Sequence, residues 1–415
     1  MHTLEELRNG QLTQVTRLQL AAGLTEFPRE IFDLADTLEI LDLSNNALSE
    51  LPADLARLSK LKILFCSNNR FESLPEVLGE CPSLEMIGFK SNQITHVPES
   101  SLPLQTRWLI LTDNQIASLP DNMGDLSRLQ KLALAGNQLT QLPESIGRCQ
   151  NLELLRISAN QLREFPYILL GLPRLAWLAF SGNPFCSTTS QQLAIPLLPT
   201  TAIEWHEILG QGASGVISRA TLSNNVHDFP EQVAVKVFKG EVTSDGFPQD
   251  ELDACLSVGQ HDNLVQPLAK IDEAECSALV MSLIPTSYSN LGQPPNLDTC
   301  TRDTFTQGQA FSINTIDHIM QQMDSVVAHL KNRHIAHGDL YAHNILINPQ
   351  GHIYFGDFGA ASKYDNLPLY QQHGIQRIEQ RAMTALLQDL LGLCLEEDKT
   401  SPLFYELQRR MFNIK

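Results

Sequence analysis

The sequence predicts two dissimilar folds in tandem, an α/β solenoid of short repeats over residues 1–199 and an α+β domain over residues 200–415. Three observations predict this division. A leucine pattern recurs every 23 residues, a column of asparagines keeps the same step, and a set of glycine, lysine and carboxylate motifs begins only where the repeats stop. The 415 residues suffice for two domains with sizeable cores, and 43% hydrophobic with 18% charged residues is the composition of a folded chain. With 29 Lys and Arg against 47 Asp and Glu, the net charge is −18 and both halves are acidic, so nucleic acid is excluded as a general partner. Eight cysteines lie far apart with no CxxC pair, as expected of free thiols and not of zinc or redox sites. The start, MHTLEELRNG, lacks the basic and then apolar order of a signal peptide, and no uninterrupted apolar run is long enough to insert into a membrane. A cytoplasmic location is therefore expected.

The repeat reads LxxLxLxxNxLxxLP, first as Leu38-Leu41-Leu43-Asn46-Leu48-Leu51-Pro52 and next as Leu61-Leu64-Cys66-Asn69-Phe71-Leu74-Pro75. The asparagine column runs Asn46, Asn69, Asn92, Asn114, Asn137, Asn160 and Asn183, and a degenerate earlier copy starts at Val15. This pattern resembles a leucine-rich-repeat solenoid over roughly residues 12–190, in which LxL is a short strand whose leucines enter a shared core. A buried Asn side chain carries donors and an acceptor for the backbone of adjacent coils, so the column is expected to be structural. The residue before the first LxL leucine should face outward on the concave surface. That column reads Ile40, Ile63, Met86, Trp108, Lys131, Leu154 and Trp177, flanked by Phe65 and Ile110. An exposed apolar ridge marks a partner surface, with Trp108, Trp177, Phe65 and Ile110 as protein-binding candidates, unless the second half of the chain folds back onto it.

After Asn183-Pro184 the repeat gives way to CSTTSQQ and then Pro196 and Pro199, a linker or cap that sets the boundary near residue 200. LGQGASGVI follows, with Gly210, Gly212 and Gly215 in the spacing that lets backbone N–H groups approach phosphates. VAVKVF places Lys236 on a strand 21 residues after Gly215. HGDLYAHN supplies His337, Asp339 and Asn344, and Asp357-Phe358-Gly359 comes 13 residues after that asparagine. In order and spacing these motifs resemble a eukaryotic-like protein kinase.

The resemblance implies an α/β leucine-rich-repeat solenoid plus an α+β bilobal protein-kinase-like domain that binds ATP and Mg2+. Asp339 would orient the acceptor hydroxyl, Asn344 and Asp357 would hold the metal, and Lys236 would grip the phosphates. Glu251, in the first turn of a helix after Pro248, would be the ion-pair partner of Lys236, in competition with Asp250 and Asp253. Gly210, Gln211, Gly212, Gly215, Ile217 and Ala234 would enclose the nucleotide, with Met281 as gatekeeper and the Ser282 and Ile284 backbones along the adenine edge. His337 would be structural.

Three departures from the kinase pattern stand out. Gly338 replaces the arginine that clamps a phosphorylated activation loop, so activation by such phosphorylation is not expected. Tyr341 stands where serine/threonine kinases carry lysine. APE is absent, and the long helix expected to begin near Glu379 leaves both the activation segment and the large lobe short. Ser362, Tyr364 and Tyr370 after the DFG are expected to be ordinary loop residues.

As a whole the chain is similar to bacterial leucine-rich-repeat protein kinases. That likeness implies a serine/threonine-type enzyme whose concave face recognises a protein substrate or regulator. HGDxxxxN is also found in small-molecule phosphotransferases, and a kinase-like scaffold working through its repeats is a third possibility.

Overall fold

The structure is a computed structural model and describes residues 2–186, 194–212, 214–223, 228–239 and 242–412. The polar stretch expected as a linker lies mostly outside the described residues, from 187 to 193. Contacts divide the chain into two compact units, Met1–Leu175 with Asn183–Phe185, and Ala176–Gly182 with Cys186–Lys415. The seven residues of Ala176–Gly182 thus follow the repeat register in sequence but group with the second unit.

The first unit opens with α1 (Leu4–Arg8), whose N-terminus Thr3 and Glu6 close in a reciprocal capping box. Seven three-residue strands follow: β1 (Arg17–Gln19), β2 (Ile40–Asp42), β3 (Ile63–Phe65), β4 (Met86–Gly88), β5 (Trp108–Ile110), β6 (Lys131–Ala133) and β7 (Leu154–Arg156). They pair in parallel and in sequence order, each residue beside its counterpart one repeat away, as in Ile40–Ile63–Met86–Trp108–Lys131–Leu154. The central residues Leu18, Leu41, Leu64, Ile87, Leu109, Leu132 and Leu155 are all buried in the shared core. Opposite the strands the chain turns through short 3₁₀ segments. Most of these start after the proline of the LxxLP motif, whose fixed φ suits the entry to such a turn.

The asparagine column stitches these coils together. Asn137 Oδ1 accepts the Ile116 N–H at 3.0 Å, while Nδ2 donates to the carbonyls of Leu111 and Leu134 at 2.9 Å each. Asn46, Asn69, Asn92, Asn114, Asn160 and Asn183 repeat the pattern. Each side chain satisfies backbone groups that the turn away from the strand would otherwise leave buried and unpaired.

The outward column is not the exposed ridge expected. Ile63, Met86 and Leu154 are buried, while Ile40, Trp108, Lys131, Phe65 and Ile110 are half-buried. In-register parallel strands place like positions side by side, so these side chains cover one another. The Phe65 ring lies over Gly88, where a Cβ would stand 2.6 Å from it, and Lys131 Nζ sits 4.2 Å from the centre of the Trp108 ring. Trp177 departs furthest from the expectation, at 3% exposure, because it is packed inside the second unit.

The second unit contains β8 (Trp177–Ala179) and then an antiparallel sheet made of β9 (Ile203–Gln211), β10 (Gly215–Leu222), β11 (Gln232–Phe238), β12 (Pro267–Glu273) and β13 (Cys276–Ser282), in the order β12-β13-β11-β10-β9. Helix α2 (Pro248–Val258) interrupts the strands between β11 and β12. Alternation along the strands sends Val233, Val235, Ala278 and Val280 into one apolar cluster, whereas Leu279 joins Leu252 and Leu256 of α2 in another. Short strands β14 (Ser289–Asn290), β16 (Ile345–Ile347) and β17 (Ile353–Phe355) form a second small sheet. Strand β15 (Ile335–Ala336) pairs with β18 (Ser362–Lys363).

Three helices complete the unit, α3 (Ile313–Asn332), α4 (Leu369–Gly392) and α5 (Pro402–Arg410). In α3 the buried Ile316, Ile319, Met320, Met323, Val326 and Leu330 recur at helical spacing. Helix α4 begins after Pro368, ten residues before Glu379, so Glu379 lies mid-helix and does not start it. Proline cannot continue a helix backwards from its first turn, which is why the start falls there and not at the later carboxylate.

Candidate active site

The hairpin β9–β10 carries the glycines at its tip, closed by Gly212 N–H donating to the Gly215 carbonyl at 3.0 Å. The three glycines do different work. A Cβ at Gly210 or Gly212 would meet open space, so those two leave the surface of the tip clear. A Cβ at Gly215 would stand 2.2 Å from the Val237 carbonyl oxygen, so that glycine lets β10 approach β11. Gln211 ends β9, and Ile217 on β10 pairs with both Gly210 and Lys236.

Lys236 projects from β11 to form an ion pair with Glu251, and the two side chains are 12% and 3% exposed. Pro248 occupies the first turn of α2 and places Glu251 one residue past Asp250 in that turn. Burial opposes the charge on Lys236, but the carboxylates of Glu251 and Asp357 outweigh it and hold the ammonium above its ordinary value. Asp250 lies elsewhere, beside Ser181, and burial together with Asp253 pushes its carboxyl up to about 6. Asp253 accepts from Gln249 on the same helix.

The loop before β16 holds Asp339 and Asn344 together. Asn344 Nδ2 donates to the Asp339 backbone carbonyl at 2.9 Å and to its Oδ2 at 3.2 Å. The Gly356 N–H donates to the Asn344 carbonyl at 3.1 Å, which ties this loop to the segment carrying Asp357. Asp357 adopts φ 59°, a left-handed conformation that Asp tolerates better than most residues.

His337 is wholly buried between the two segments. Its Nδ1 accepts the Asp339 N–H at 3.3 Å, so a neutral ring can donate from Nε2 to the Gly356 carbonyl at 3.1 Å. Its ring packs on Phe355 and Phe358.

Four further residues, Asp303, His343, Glu379 and Trp177, belong to this site although the sequence pattern assigns none of them a place in it. Asp303 Oδ2 accepts the Ala342 N–H at 2.6 Å and the His343 N–H at 3.2 Å, and its Oδ1 meets His343 Nδ1 at 2.7 Å. Burial disfavours a charged His343 ring, but Asp303, with Asp339 and Asp357 beyond it, holds the imidazole above its ordinary value. Glu379 of α4 accepts the His337 N–H at 2.5 Å and the Gly338 N–H at 3.4 Å. Trp177 stacks on Tyr341 with ring centres 4.6 Å apart. His343 stood inside the HGDLYAHN motif and could have been found there, whereas Asp303, Glu379 and Trp177 are distant in sequence.

Ala234 is buried on β11 and registers with Met281, which packs against Leu252, Leu256 and Leu279. The Ser282 N–H donates to the Gln266 carbonyl at 3.0 Å, so only the carbonyl of Ser282 could meet an adenine edge. Ser282 and Ile284 line a cavity of about 510 Å³ together with Asp262, Gln266, His352 and Tyr354.

A model of protein tyrosine and serine/threonine kinases matches residues 203–386, and leucine-rich-repeat models match 36–94, 104–162 and 127–185. Leucine-rich repeats are here fused to a protein kinase domain. Among curated relatives, cyclin-dependent kinase 11.1 of Caenorhabditis elegans is 27% identical over 157 residues, which is 37% of this chain and 20% of that protein. The serine/threonine-protein kinase PITSLRE of Drosophila melanogaster is 29% identical over 158 residues, 37% of this chain and 15% of its own length. CTD kinase subunit alpha of Schizosaccharomyces pombe is 27% identical over 180 residues, 43% of this chain and 28% of its own. The chain therefore spans between 15% and 28% of the length of these relatives. Among the described residues, no helix is long and apolar enough to cross a membrane.

Proposed function

We propose that the second unit is an ATP- and Mg2+-dependent protein kinase of the serine/threonine type, and that the repeats recognise its protein substrate or a regulator. The observation that carries this reading is the buried Lys236–Glu251 pair within the field of Asp357, while Asp357 is tied through Gly356 to the loop that joins Asn344 to Asp339. A buried ammonium held charged, two oxygen-bearing side chains of Mg2+ type and a glycine tip with open space above Gly210 and Gly212 are the parts that a nucleotide triphosphate and its metal need.

In this reading Lys236 binds the α- and β-phosphates, and Glu251 fixes the lysine in place. Asn344 and Asp357 hold Mg2+, which when bound neutralises phosphate charge. Asp339 orients the acceptor hydroxyl and takes its proton, with Asn344 Nδ2 restraining the carboxylate. Met281 and Ala234 border the adenine. A bacterial origin and a cytoplasmic location are part of the same proposal.

The test is ADP release together with intact-protein mass in Mg·ATP, for the wild type and for Asp339→Asn. Phosphate on the wild type, or on a protein acceptor, with neither product from the variant, is the expected result. No ADP from the wild type would overturn the reading in favour of a kinase-like scaffold.

A second reading is favoured by one observation. Helix α4 begins at Leu369, only 12 residues after Asp357, so little chain remains for a protein-substrate platform. A small-molecule phosphotransferase would release ADP with added acceptor yet leave every protein unmodified.

A further inference from the structure

The residue before Asp339 is glycine, and the structure gives the reason. Gly338 has φ 73°, and a Cβ there would stand 2.7 Å from both the Ala360 and the Leu178 carbonyl oxygens. No side chain fits. The space that an arginine at this position would use to reach a phosphorylated loop is closed by the backbone of β8 and of the segment after the DFG.

The residues around β8 make three further contacts within the second unit. Trp177 lies nearly parallel to Tyr341, at 8°, and its indole N–H donates to the Leu340 carbonyl at 3.1 Å. Tyr341 in turn stacks on His343, whose loop is held from the other side by Asp303. The N–H groups of Phe180 and Ser181 both donate to Ser362 Oγ, at 2.9 and 3.1 Å, and Ser362 is buried beside β15. Finally, Gly182 approaches α2, where a Cβ would stand 2.7 Å from Asp250 Oδ2 and 2.8 Å from the Phe247 ring.

We propose that residues 177–182 are a built-in strut that sets the catalytic loop and the DFG segment in their working positions, with Trp177 and Ser362 as positioning residues. This strut takes the place that a phosphorylated activation loop and its arginine clamp fill in other kinases. The inference rests on the kinase reading for its purpose, but the strut itself is a statement about which segments hold which. Trp177, Phe180, Ser181, Leu340, Tyr341 and Ser362 are all buried, and a hydroxyl that already accepts two N–H donors is not available as a phosphate acceptor. Regulation at this site therefore has to act on the strut and not on a phosphorylated side chain.

The full-length protein carrying Trp177→Ala is compared with the wild type by amide hydrogen exchange and by steady-state ADP release. The expected result is exchange raised about tenfold or more at 338–344 and 360–363, with β9–β13 as protected as before. The same variant should lose about ten- to a hundredfold in kcat with the KM for ATP unchanged, as befits misplaced catalytic groups with an intact nucleotide site. Trp177→Phe, which keeps the stack and loses the N–H donor, should restore most of the kcat. Unchanged exchange in both segments overturns the strut, whether or not the protein turns over ATP. A wild type without turnover overturns the kinase reading instead, and leaves the strut to be decided by exchange. If alanine at 177 unfolds β9–β13 as well, Ser362→Ala decides the matter, since it strips two N–H groups of their acceptor. Raised exchange at 180–181 and 360–363 supports the strut, and wild-type exchange there overturns it.

Discussion

Glu379 sits at the middle of α4 with its carboxyl wholly enclosed, and burial outweighs the two N–H donors from His337 and Gly338, so its pKa is pushed up to about 7. Between the ordinary carboxyl range and pH 7 the folded chain then binds a proton that the unfolded chain has lost. Stability falls as the pH rises through that window, by up to ~3 kcal/mol for a shift of this size. Glu379→Gln keeps an acceptor for the N–H groups and cannot ionise, so urea melts should lose part of their pH slope, most of all near pH 7, while Asp250, pushed up to about 6, keeps its share at lower pH. A slope equal to that of the wild type would show that another group titrates there. Burial raises Glu251 as well, outweighing the Lys236 ammonium, and the two groups are each the countercharge of the other in a dry place. Lys236→Met should abolish ADP release and also cost about 3–5 kcal/mol of stability, since it leaves the Glu251 carboxylate buried alone. Adding Glu251→Gln should return part of that loss, and a purely additive double variant would refute the coupling.

At the scale of elements, the glycine tip divides into a clearance role and a packing role. Gly212→Ala should leave the melting temperature unchanged and weaken ATP binding, because its Cβ enters open space. Gly215→Ala should lower the melting temperature, because its Cβ meets the Val237 carbonyl at 2.2 Å and β10 must move off β11. Differential scanning fluorimetry with and without Mg·ATP separates the two. The strands and the asparagine ladder were legible in the sequence because a 23-residue step repeats itself enough times to be counted, and LxL alternation fixes which leucines enter the core. The juxtaposition of Asp339 with Asn344 was legible because a short spacing within one motif fixes it, whereas Lys236 and Glu251 stand on separate elements, so the sequence narrowed the partner only to Asp250, Glu251 or Asp253. The burial of Trp177, the grip of Glu379 on the loop and the seat of Asp303 beneath His343 were not legible, because each depends on segments tens to hundreds of residues apart that no local period connects. The start of α4 was missed for a local reason: the helix was expected at the carboxylate, while Pro368 sets its first turn.

For the molecule as a whole, the glycine at 338, where no side chain fits, predicts on the kinase reading an enzyme that needs no activating phosphate at that clamp. Ser362 and Tyr364 are both buried, Tyr364 completely, so neither can enter another kinase's cleft without local unfolding. Treatment with a broad-specificity phosphatase, with complete dephosphorylation verified by mass, should leave kcat where it was. A fall in kcat that Mg·ATP preincubation restores would mean that a modified residue does contribute. The acidity of −18 adds a condition on any acceptor, since a polyanionic partner would be repelled before it reached the site and a basic one drawn in, with association slowing as salt rises.

The asparagine ladder also governs how such a chain can change length. Each stitch spans to the coil before it, so Asn137 needs Leu111 and Ile116 at fixed separations. One extra residue between a strand and its asparagine would misalign every bond of that stitch, whereas a whole added coil would present the same donors and acceptors again. The chain itself displays the one freedom left. Trp108 pairs with Met86 only 22 residues earlier, yet both strands keep the same six-residue offset to Asn114 and Asn92, so the deletion fell on the turn side. Duplication of complete coils and trimming of outer turns are therefore the cheap edits, and genetic drift in this half of the protein is channelled into whole-repeat counts and turn shape.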